Sequence, residues 1–182
     1  MNILTFATPV SVSDPKLWIV SLYNQTLTQK SFFQSKVAVL QLLSENQAPL
    51  VDVLGKRSGM EEGFSKEDAC AEKDFSWISE SSKGKEKDGT NFFYSSVDVS
   101  KKEKFLIQSL QLLPQCQSYI KLRYLKKILA GDHQVALCQV LGVGFWNEAL
   151  GCISNVPHDE LTIAKDEASV LYTSFLRKKS II

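Results

Sequence analysis

The segment from Ser118 to Val143, SYIKLRYLKKILAGDHQVALCQVLGV, gives the clearest indication of the fold. Residues 118–126 and 134–143 are two runs of strand length in which successive side chains are expected to face opposite ways. Between them lies Leu129–His133, where the pair Gly131-Asp132 is typical of a tight turn. The segment therefore predicts two strands joined by a sharp turn.

Further strands are predicted on both sides of this segment. Ile3–Leu22 is rich in Val, Thr and Ser and is interrupted by two prolines, which predicts two short strands, the second at 17–22. Val37–Leu43 is a nearly continuous apolar run, as is typical of a strand covered on both faces. A last strand is predicted at 170–176.

Only short helices are predicted. Thr28 is a suitable N-cap for the first of them. A second is predicted from Ala48 to Leu54, because Gly55 stops it and Pro49 is tolerated only near a helix start. Many short strands, few short helices and no alternation of strand with helix predict a mainly β fold, a β-barrel with helical additions.

The length of 182 residues predicts a single domain spanning 1–182. Residues 79–104 differ in composition from the rest, because Ser, Lys, Glu, Asp and Gly dominate there. This composition predicts a flexible, solvated insertion. The apolar patch Phe92-Phe93-Tyr94 within it is expected to dock on the domain or on a partner.

Charge and cysteine content exclude several classes of partner. The 21 basic and 20 acidic residues leave a net charge of +1, which provides no long-range field for nucleic acid or an anionic membrane. The four cysteines contain no C-x-x-C pair, so reduced thiols are expected. No apolar run approaches the length needed to span a membrane, and the start of the chain has no secretory pattern. These features predict a cytoplasmic protein that binds neither nucleic acid nor membrane.

Motifs of hydrolytic and metal-dependent enzymes are missing from the sequence. It has no phosphate-binding glycine motif, no H-E-x-x-H and no G-x-S-x-G. Its two histidines, His133 and His158, are too few for a histidine-rich metal centre, so no metal ligands are predicted. His158 lies in a polar stretch and is given no functional role. Glu61 and Glu62 lie in a charged loop and are interpreted as a solvated face rather than an acid–base pair.

Hydroxyl, amide and basic side chains are concentrated at predicted strand ends and helix starts. Thr5 and Thr8 lie in the first hairpin, Asn24 and Thr28 precede the first helix, and Lys56-Arg57-Ser58-Gly59 follows the second. Such groups suit a ligand with a polyol chain and a phosphate. They are equally explained as ordinary strand residues, a helix cap and dipole-favoured basic residues at a helix end. Composition and spacing leave both interpretations open.

The order of whole sequence segments is a more specific signal of the protein family than composition and spacing are. Residues 2–17 fit the pattern N-x-x-T-x-A-T-P-V-S-V-S-x-P-x-L. Four further segments follow in order along the chain: Tyr23–Thr28, Val37–Leu43, Leu54–Gly59 with a following Phe64, and Ala130–Val140. These five segments resemble the flavin reductase-like, FMN-binding split-barrel family, whose members share a Gly-Asp-His turn before a hydrophobic strand. The resemblance covers about two-thirds of the chain. Family members usually carry a further strand before the first of these segments.

The resemblance implies a homodimer that binds FMN near the subunit interface. Thr5, Ala7 and Thr8 are then expected along the flavin. The phosphate is expected among five residues, which are Asn24, Thr28, Lys56, Arg57 and Ser58. His133 is expected beside the isoalloxazine ring or the incoming nicotinamide, as the one catalytic residue. The alternative for His133 is a turn residue that satisfies a backbone carbonyl.

The implied activity is that of an oxidoreductase, an NAD(P)H-dependent flavin reductase. FMN is the expected flavin, with FAD or riboflavin as alternative substrates, and NADH or NADPH is the expected reductant. Such a reaction needs stacking and alignment more than acid–base groups, which agrees with the absence of hydrolase motifs. Two other functions stay open: an FMN-binding carrier, sensor or oxygenase partner without robust reductase activity, and a degenerate interaction module.

Overall fold

A computed structural model describes residues 1–4, 6–79, 94, 96–148 and 151–154. Several sequence predictions lie outside these residues: those for Thr5, for Phe92 and Phe93, for His158 and for a strand at 170–176. The described strands are β1 (Ala7–Ser11), β2 (Leu17–Tyr23), β3 (Val37–Leu42), β4 (Ile78–Ser79), β5 (Gln111–Leu112), β6 (Ser118–Ala130), β7 (His133–Asn147) and β8 (Cys152–Ser154). The helices are α1 (Leu27–Ser35), α2 (Lys66–Ala71) and α3 (Lys101–Gln108), with a 3-10 turn at Glu45–Gln47 and a π-helical turn at Asp52–Lys56.

Six of these strands form one antiparallel sheet, and this confirms the predicted mainly β class. Its order is β1-β2-β7-β6-β3, with β8 paired to the far end of β7. The centre is the predicted hairpin, in which Ala130 pairs with His133 across the two-residue turn Gly131-Asp132. Gly131 has φ +62°, a left-handed conformation that glycine adopts without the steric cost of a Cβ.

The central hairpin is bent, and this lets its two strands reach different neighbours. The register of β6 against β7 shifts between Lys121 and Leu122 and again between Tyr124 and Lys126. Such bulges increase the local twist and are common at the rims of barrels. Residues 37–42 of β3 pair with 118–123 of β6, whereas 17–23 of β2 pair with 133–139 of β7. The first hairpin therefore lies against the Gly-Asp-His turn.

Three buried clusters hold the fold together. The smallest contains Val37, Val99, Ile107 and Leu141, and the other two are larger. One lies inside the curved sheet, where α1 contributes Phe32 against Val20, Leu122 and Ala136. The other lies beyond the opposite end of β6, and its members include Leu50, Leu54, Leu112, Leu113 and Tyr119. Both depend on side chains from distant parts of the sequence.

Two sequence predictions of local structure are wrong. The N-cap of α1 is Thr26, whose hydroxyl oxygen accepts a hydrogen bond from the Gln29 amide at 3.2 Å, so Thr28 lies within the helix. In place of one helix from Ala48 to Leu54 there is a 3-10 turn at Glu45–Gln47, before Pro49, and a π-helical turn at Asp52–Lys56, so Gly55 lies within a helical turn and does not end it. The prediction for β3 holds, because Ala38 and Leu40 pack against one buried cluster and Val39 packs against the others.

The last part of the segment predicted as a flexible insertion is folded. Ser100 and Glu103 form a capping box at the start of α3, and Ile107 of this helix is fully buried. Glu103 also forms an ion pair of 2.6 Å with Arg123 of β6. Tyr94 packs against the inner cluster, and its amide donates to the Leu141 carbonyl at 2.7 Å. Residues 96–104 and Tyr94 therefore belong to the domain.

Replacing Thr26 by alanine is expected to lower the free energy of unfolding by about 1 kcal/mol and the Tm by roughly 2–4 °C. The loss arises because the Gln29 amide then has no side-chain acceptor at the helix start. Thr28→Ala is the control, with an expected change within about 0.5 kcal/mol, because alanine is favoured inside a helix. Thermal melts of both variants check the result, and a larger loss for T28A would contradict the cap assignment.

Candidate functional site

His133 lies at the start of β7, directly after the turn, and pairs with Tyr23 at the end of β2. The ring centroids of His133 and Tyr23 are 3.9 Å apart, and Phe6 approaches His133 edge-on at 6.4 Å. These three side chains are called the aromatic cluster below. Phe6 is 64% exposed and Tyr23 is 57% exposed, whereas the side chain of His133 is only 16% exposed. The cluster is thus a platform that is open to solvent on its outer rings.

One nitrogen of His133 is held by the preceding residue. Nδ1 lies 2.6 Å from Oδ1 of Asp132. The hydrogen bond from His133 lowers the pKa of Asp132, so the carboxylate is the acceptor and Nδ1–H is the donor. This contact fixes the plane of the imidazole and leaves Nε2 as the nitrogen that can meet a ligand.

Asn24 connects the end of β2 to the same turn. Its backbone N–H donates to the Asp132 carbonyl at 3.0 Å, and its Nδ2 donates to the Gly131 carbonyl at 3.0 Å. Its Oδ1 is buried and accepts no hydrogen bond from the residues that the structure describes. The two donated hydrogen bonds make Asn24 a residue that holds the Gly131-Asp132 turn against the end of β2.

The start of α1 is anchored next to this point. Thr26 donates to the Tyr23 carbonyl at 3.0 Å and caps the helix. Gln29 donates from Nε2 to Oε1 of Gln134, which is the second residue of β7, at 3.0 Å. Thr28 is half-buried on the first turn of the helix. The amide end of α1 therefore faces the same region as the aromatic cluster.

The stretch Lys56–Gly59, called the basic loop below, lies between the N-terminal segment and α1. A Cβ placed on Gly55, at the start of this loop, would lie 3.4 Å from Cγ1 of Ile3, and one on Gly59 would lie 3.9 Å from Cδ2 of Leu27. The packing thus brings the end of the basic loop next to the start of α1, whose N-cap Thr26 is hydrogen-bonded to Tyr23 of the aromatic cluster.

The charged side chains of the basic loop have partners within the chain. Lys56 Nζ lies 2.8 Å from Asp52 Oδ1. Arg57 Nη2 donates to Glu61 Oε2 at 2.7 Å, and the guanidinium lies over the Phe64 ring at 3.6 Å from its centroid. Lys56 and Arg57 also line an open cavity of about 450 Å³ together with Lys73.

The predicted residues of the first hairpin differ in orientation. Ala7 is half-buried and packs against the inner cluster, where it is paired with Val20. Thr8, which pairs with Ile19, is exposed. Neighbouring side chains of a strand point to opposite faces, so these two do not line one surface together. Thr5 lies outside the described residues.

Sequence reasoning did not single out Phe6, Tyr23 or Glu61. The partner of Tyr23 is His133, 110 positions later, and only the register of β2 against β7 brings them together. Glu61 was set aside with Glu62 as part of a solvated loop, whereas its carboxylate accepts hydrogen bonds from Arg57 and from the Ser58 amide. Glu61 could have been found by its spacing of four residues from Arg57.

The part of the chain that the structure describes has no metal site, membrane-spanning helix or disulfide. No group of three or more His, Cys, Asp or Glu side chains is placed to hold a metal ion there. None of the helices in this part of the chain is long and apolar enough to cross a membrane. All four cysteines are unpaired, and burial raises the pKa of Cys116 and Cys138 to about 12.

No protein-family profile and no curated protein matches the sequence. Solved structures do match. An FMN-binding protein from Thermus thermophilus is similar over 79% of this chain and 61% of its own, with a TM-score of 0.52 and 19% identity. The NADH:FAD oxidoreductase SgcE6 of Streptomyces globisporus is similar over 83% of this chain and 74% of its own, with a TM-score of 0.51 and 12% identity.

The fold is that of the flavin reductase-like split barrels. Flavoredoxin of Desulfovibrio vulgaris (Miyazaki F) is a further example, similar over 81% of this chain and 62% of its own, with a TM-score of 0.53 and 16% identity. This chain thus spans less than two-thirds of the Thermus and Desulfovibrio split barrels. The predicted split-barrel architecture is confirmed, and at these identities the similarity concerns the fold.

Proposed function

We propose that this split-barrel protein binds FMN and reduces it with NADH or NADPH. The observation that carries the proposal is that the basic loop lies against the start of α1, whose N-cap Thr26 is hydrogen-bonded to Tyr23 of the aromatic cluster. Aromatic rings provide a surface for stacking a planar ring system, and a guanidinium with backbone amides suits a phosphate. Solved proteins of this fold include one described as FMN-binding and one described as an NADH:FAD oxidoreductase.

The described residues fit such a ligand. Lys56, Arg57 and Ser58 would hold the phosphate, and the amide end of α1 at Thr28 would add a favourable dipole. Asn24 is proposed on the phosphate side of the flavin, beside the start of α1. Thr5 and Thr8 are proposed along the flavin, whereas Ala7 packs inward against the inner cluster and supports β1.

The chain's part in the reaction is positioning. Bound flavin would accept a hydride from reduced nicotinamide, and this chemistry belongs to the cofactor. His133, oriented by Asp132 through Nδ1, would present Nε2 to the flavin ring or to the nicotinamide. The half-buried imidazole between Phe6 and Tyr23 would keep water from one side of the reacting groups.

A homodimer is part of the proposal. The tip of the central hairpin exposes apolar side chains of β6, including Leu125, Ile128 and Leu129, the last at 73%. Phe6 of the aromatic cluster is also exposed. A second copy that covers these side chains would close the platform, since exposed apolar patches of this kind commonly mark interfaces. Light scattering coupled to size-exclusion chromatography tests the oligomeric state. We also propose that the protein is located in the cytoplasm, since its four cysteines are unpaired.

An absorbance titration with FMN, followed by anaerobic addition of NADH and then NADPH, tests the proposal. Saturable perturbation of the flavin spectrum and bleaching by either nucleotide are the expected results. Parallel titrations with FAD and riboflavin identify the preferred flavin. Binding without bleaching would instead indicate a flavin carrier, sensor or oxygenase partner. Failure to perturb any of the three flavin spectra at micromolar concentration would overturn flavin binding and leave an interaction module.

A further inference from the structure

The carboxylate of Glu61 lies in a convergent set of donors. Oε2 accepts from Arg57 Nη2 at 2.7 Å and from Arg57 Nε at 3.1 Å. Oε1 accepts from the backbone N–H of Ser58 at 2.9 Å. The Ser58 amide and then the Arg57 guanidinium lower the pKa of Glu61, so the group is an anion. Three hydrogen bonds thus converge on one side chain.

These donors are also the ones that a phosphate would use. A guanidinium offers two parallel N–H groups to neighbouring oxygens, and a backbone amide in a turn adds a third donor. Lys66, whose Nζ donates to the Leu54 carbonyl at 2.7 Å, contributes further positive charge to Glu61. The site is therefore built for an anion, and a side chain of the same loop occupies it.

The donors are held in place without Glu61. Arg57 lies 3.6 Å above the Phe64 ring centroid, a stacking contact that restrains the guanidinium. Ser58 Oγ accepts from the Met60 amide at 3.1 Å, which supports the local turn. The Glu61 side chain is 41% exposed, so it can turn into solvent while the donors remain. Replacement by an external anion therefore requires only a change of side-chain rotamer.

We infer that Glu61 acts as an internal competitor for the phosphate group of the flavin and so sets the affinity of this chain for phosphorylated ligands. The inference rests on the proposed function for the identity of the ligand. Removal of the Glu61 charge would free the donors and would also remove a repulsion from the incoming phosphate. Exposed ion pairs are weak, so an effect of roughly threefold to tenfold is expected.

Flavin titrations of the intact chain and of two matched variants test this inference. Glu61→Gln is expected to tighten FMN binding about threefold to tenfold and to change riboflavin binding less than about twofold, because riboflavin has no phosphate. Glu62→Gln, which removes the adjacent exposed carboxylate, is the control and is expected to change neither affinity. Equal FMN affinities for E61Q and E62Q, or weaker binding by E61Q, would overturn the inference.

A second readout separates this inference from flavin binding itself. Inorganic phosphate is titrated against each variant while the Ser58 amide is followed by NMR, with thermal melts to establish that each variant is folded. E61Q is expected to bind phosphate at Ser58 more tightly than E62Q. If this holds but no flavin binds, the proposed function fails and the role of Glu61 stands. If phosphate leaves the Ser58 amide unchanged in E61Q, the role of Glu61 is excluded.

Discussion

Arg57→Ala is expected to weaken FMN binding about tenfold to a hundredfold while the affinity for riboflavin changes less than threefold. Hydrogen bonds to charged groups contribute roughly 1.5–3 kcal/mol, and about 1.4 kcal/mol corresponds to a factor of ten. Arg57 is already oriented by Phe64, so little side-chain entropy is lost when phosphate binds. Its removal also leaves the Glu61 carboxylate without its cation, close to the phosphate. Absorbance or fluorescence titrations at fixed low salt measure both affinities.

Two variants control for general effects of charge and geometry. Lys101→Ala removes an exposed cation of α3 and is expected to leave both affinities unchanged. Arg57→Lys keeps the charge but loses the two-pronged donor, so FMN affinity is expected between those of the wild type and R57A. Equal losses for FMN and riboflavin in R57A would mean that Arg57 supports the loop and does not bind phosphate.

His133→Ala is expected to slow flavin reduction at least about tenfold while FMN affinity falls less than about threefold. The imidazole lies in the aromatic cluster and not in the basic loop, so the phosphate contacts stay in place. Loss of the ring removes the surface that aligns the nicotinamide with the flavin, and small misplacements of reacting groups have large effects on rate. Anaerobic stopped-flow measurement of flavin bleaching at saturating FMN gives the rate directly.

The variant Asp132→Asn keeps the imidazole of His133 but removes the carboxylate that orients it, so it tests whether the orientation of the ring affects the rate of flavin reduction. The exposed carboxylate of Asp132 holds Nδ1 of His133, so D132N is expected to slow reduction less than H133A and to leave FMN affinity unchanged. A fall in FMN affinity in H133A that matches the fall in rate would assign His133 to binding. An unchanged rate in both variants would show that His133 is the turn residue of the alternative interpretation.

R57A is expected to lower mainly the FMN affinity and H133A mainly the rate of flavin reduction, which distinguishes a site of two separate parts from a single binding surface. In the proposed arrangement the basic loop determines affinity and the aromatic cluster determines rate. Double substitution R57A/H133A is then expected to show nearly additive effects, because no described contact joins the two side chains. Strong non-additivity would mean that the two groups act on the same part of the ligand.

The central hairpin could be predicted from the sequence because its information is local. Alternation at 118–126 and 134–143 and the pair Gly131-Asp132 define two strands and a two-residue turn, and the structure has β6 and β7 around that turn. The segment resemblance also led to the correct split-barrel fold. The start of α1 could not be predicted from the sequence in the same way, because Thr26 and Thr28 are equally good N-caps by residue type. The extended backbone conformation at Thr26 decides between them.

The site depends on contacts that local patterns do not contain. Tyr23 meets His133 only because β2 pairs with β7 in one register, and a slip of one residue would turn the Tyr23 ring to the other face. Glu61 was assigned to solvent because charged loop residues are usually solvated, and the convergence of Arg57 and the Ser58 amide on its carboxylate is a matter of loop conformation. The folded state of α3 is likewise a tertiary effect, because its Ile107 is buried in the core and its Glu103 forms an ion pair with Arg123 of β6.

The amino-acid sequence by itself determined the mainly β class, the central hairpin with its turn, and the residue types suited to a phosphorylated ring ligand. These follow from periodicity, backbone preference and side-chain chemistry, all of which act over a few residues. Only the tertiary structure decided that the basic loop lies against the start of α1, that Asn24 and Tyr23 meet the turn of the central hairpin, and that Glu61 occupies the anion donors. Those relations depend on burial of shared apolar surface between distant segments, which selects one strand register and one packing from many that the local sequence allows.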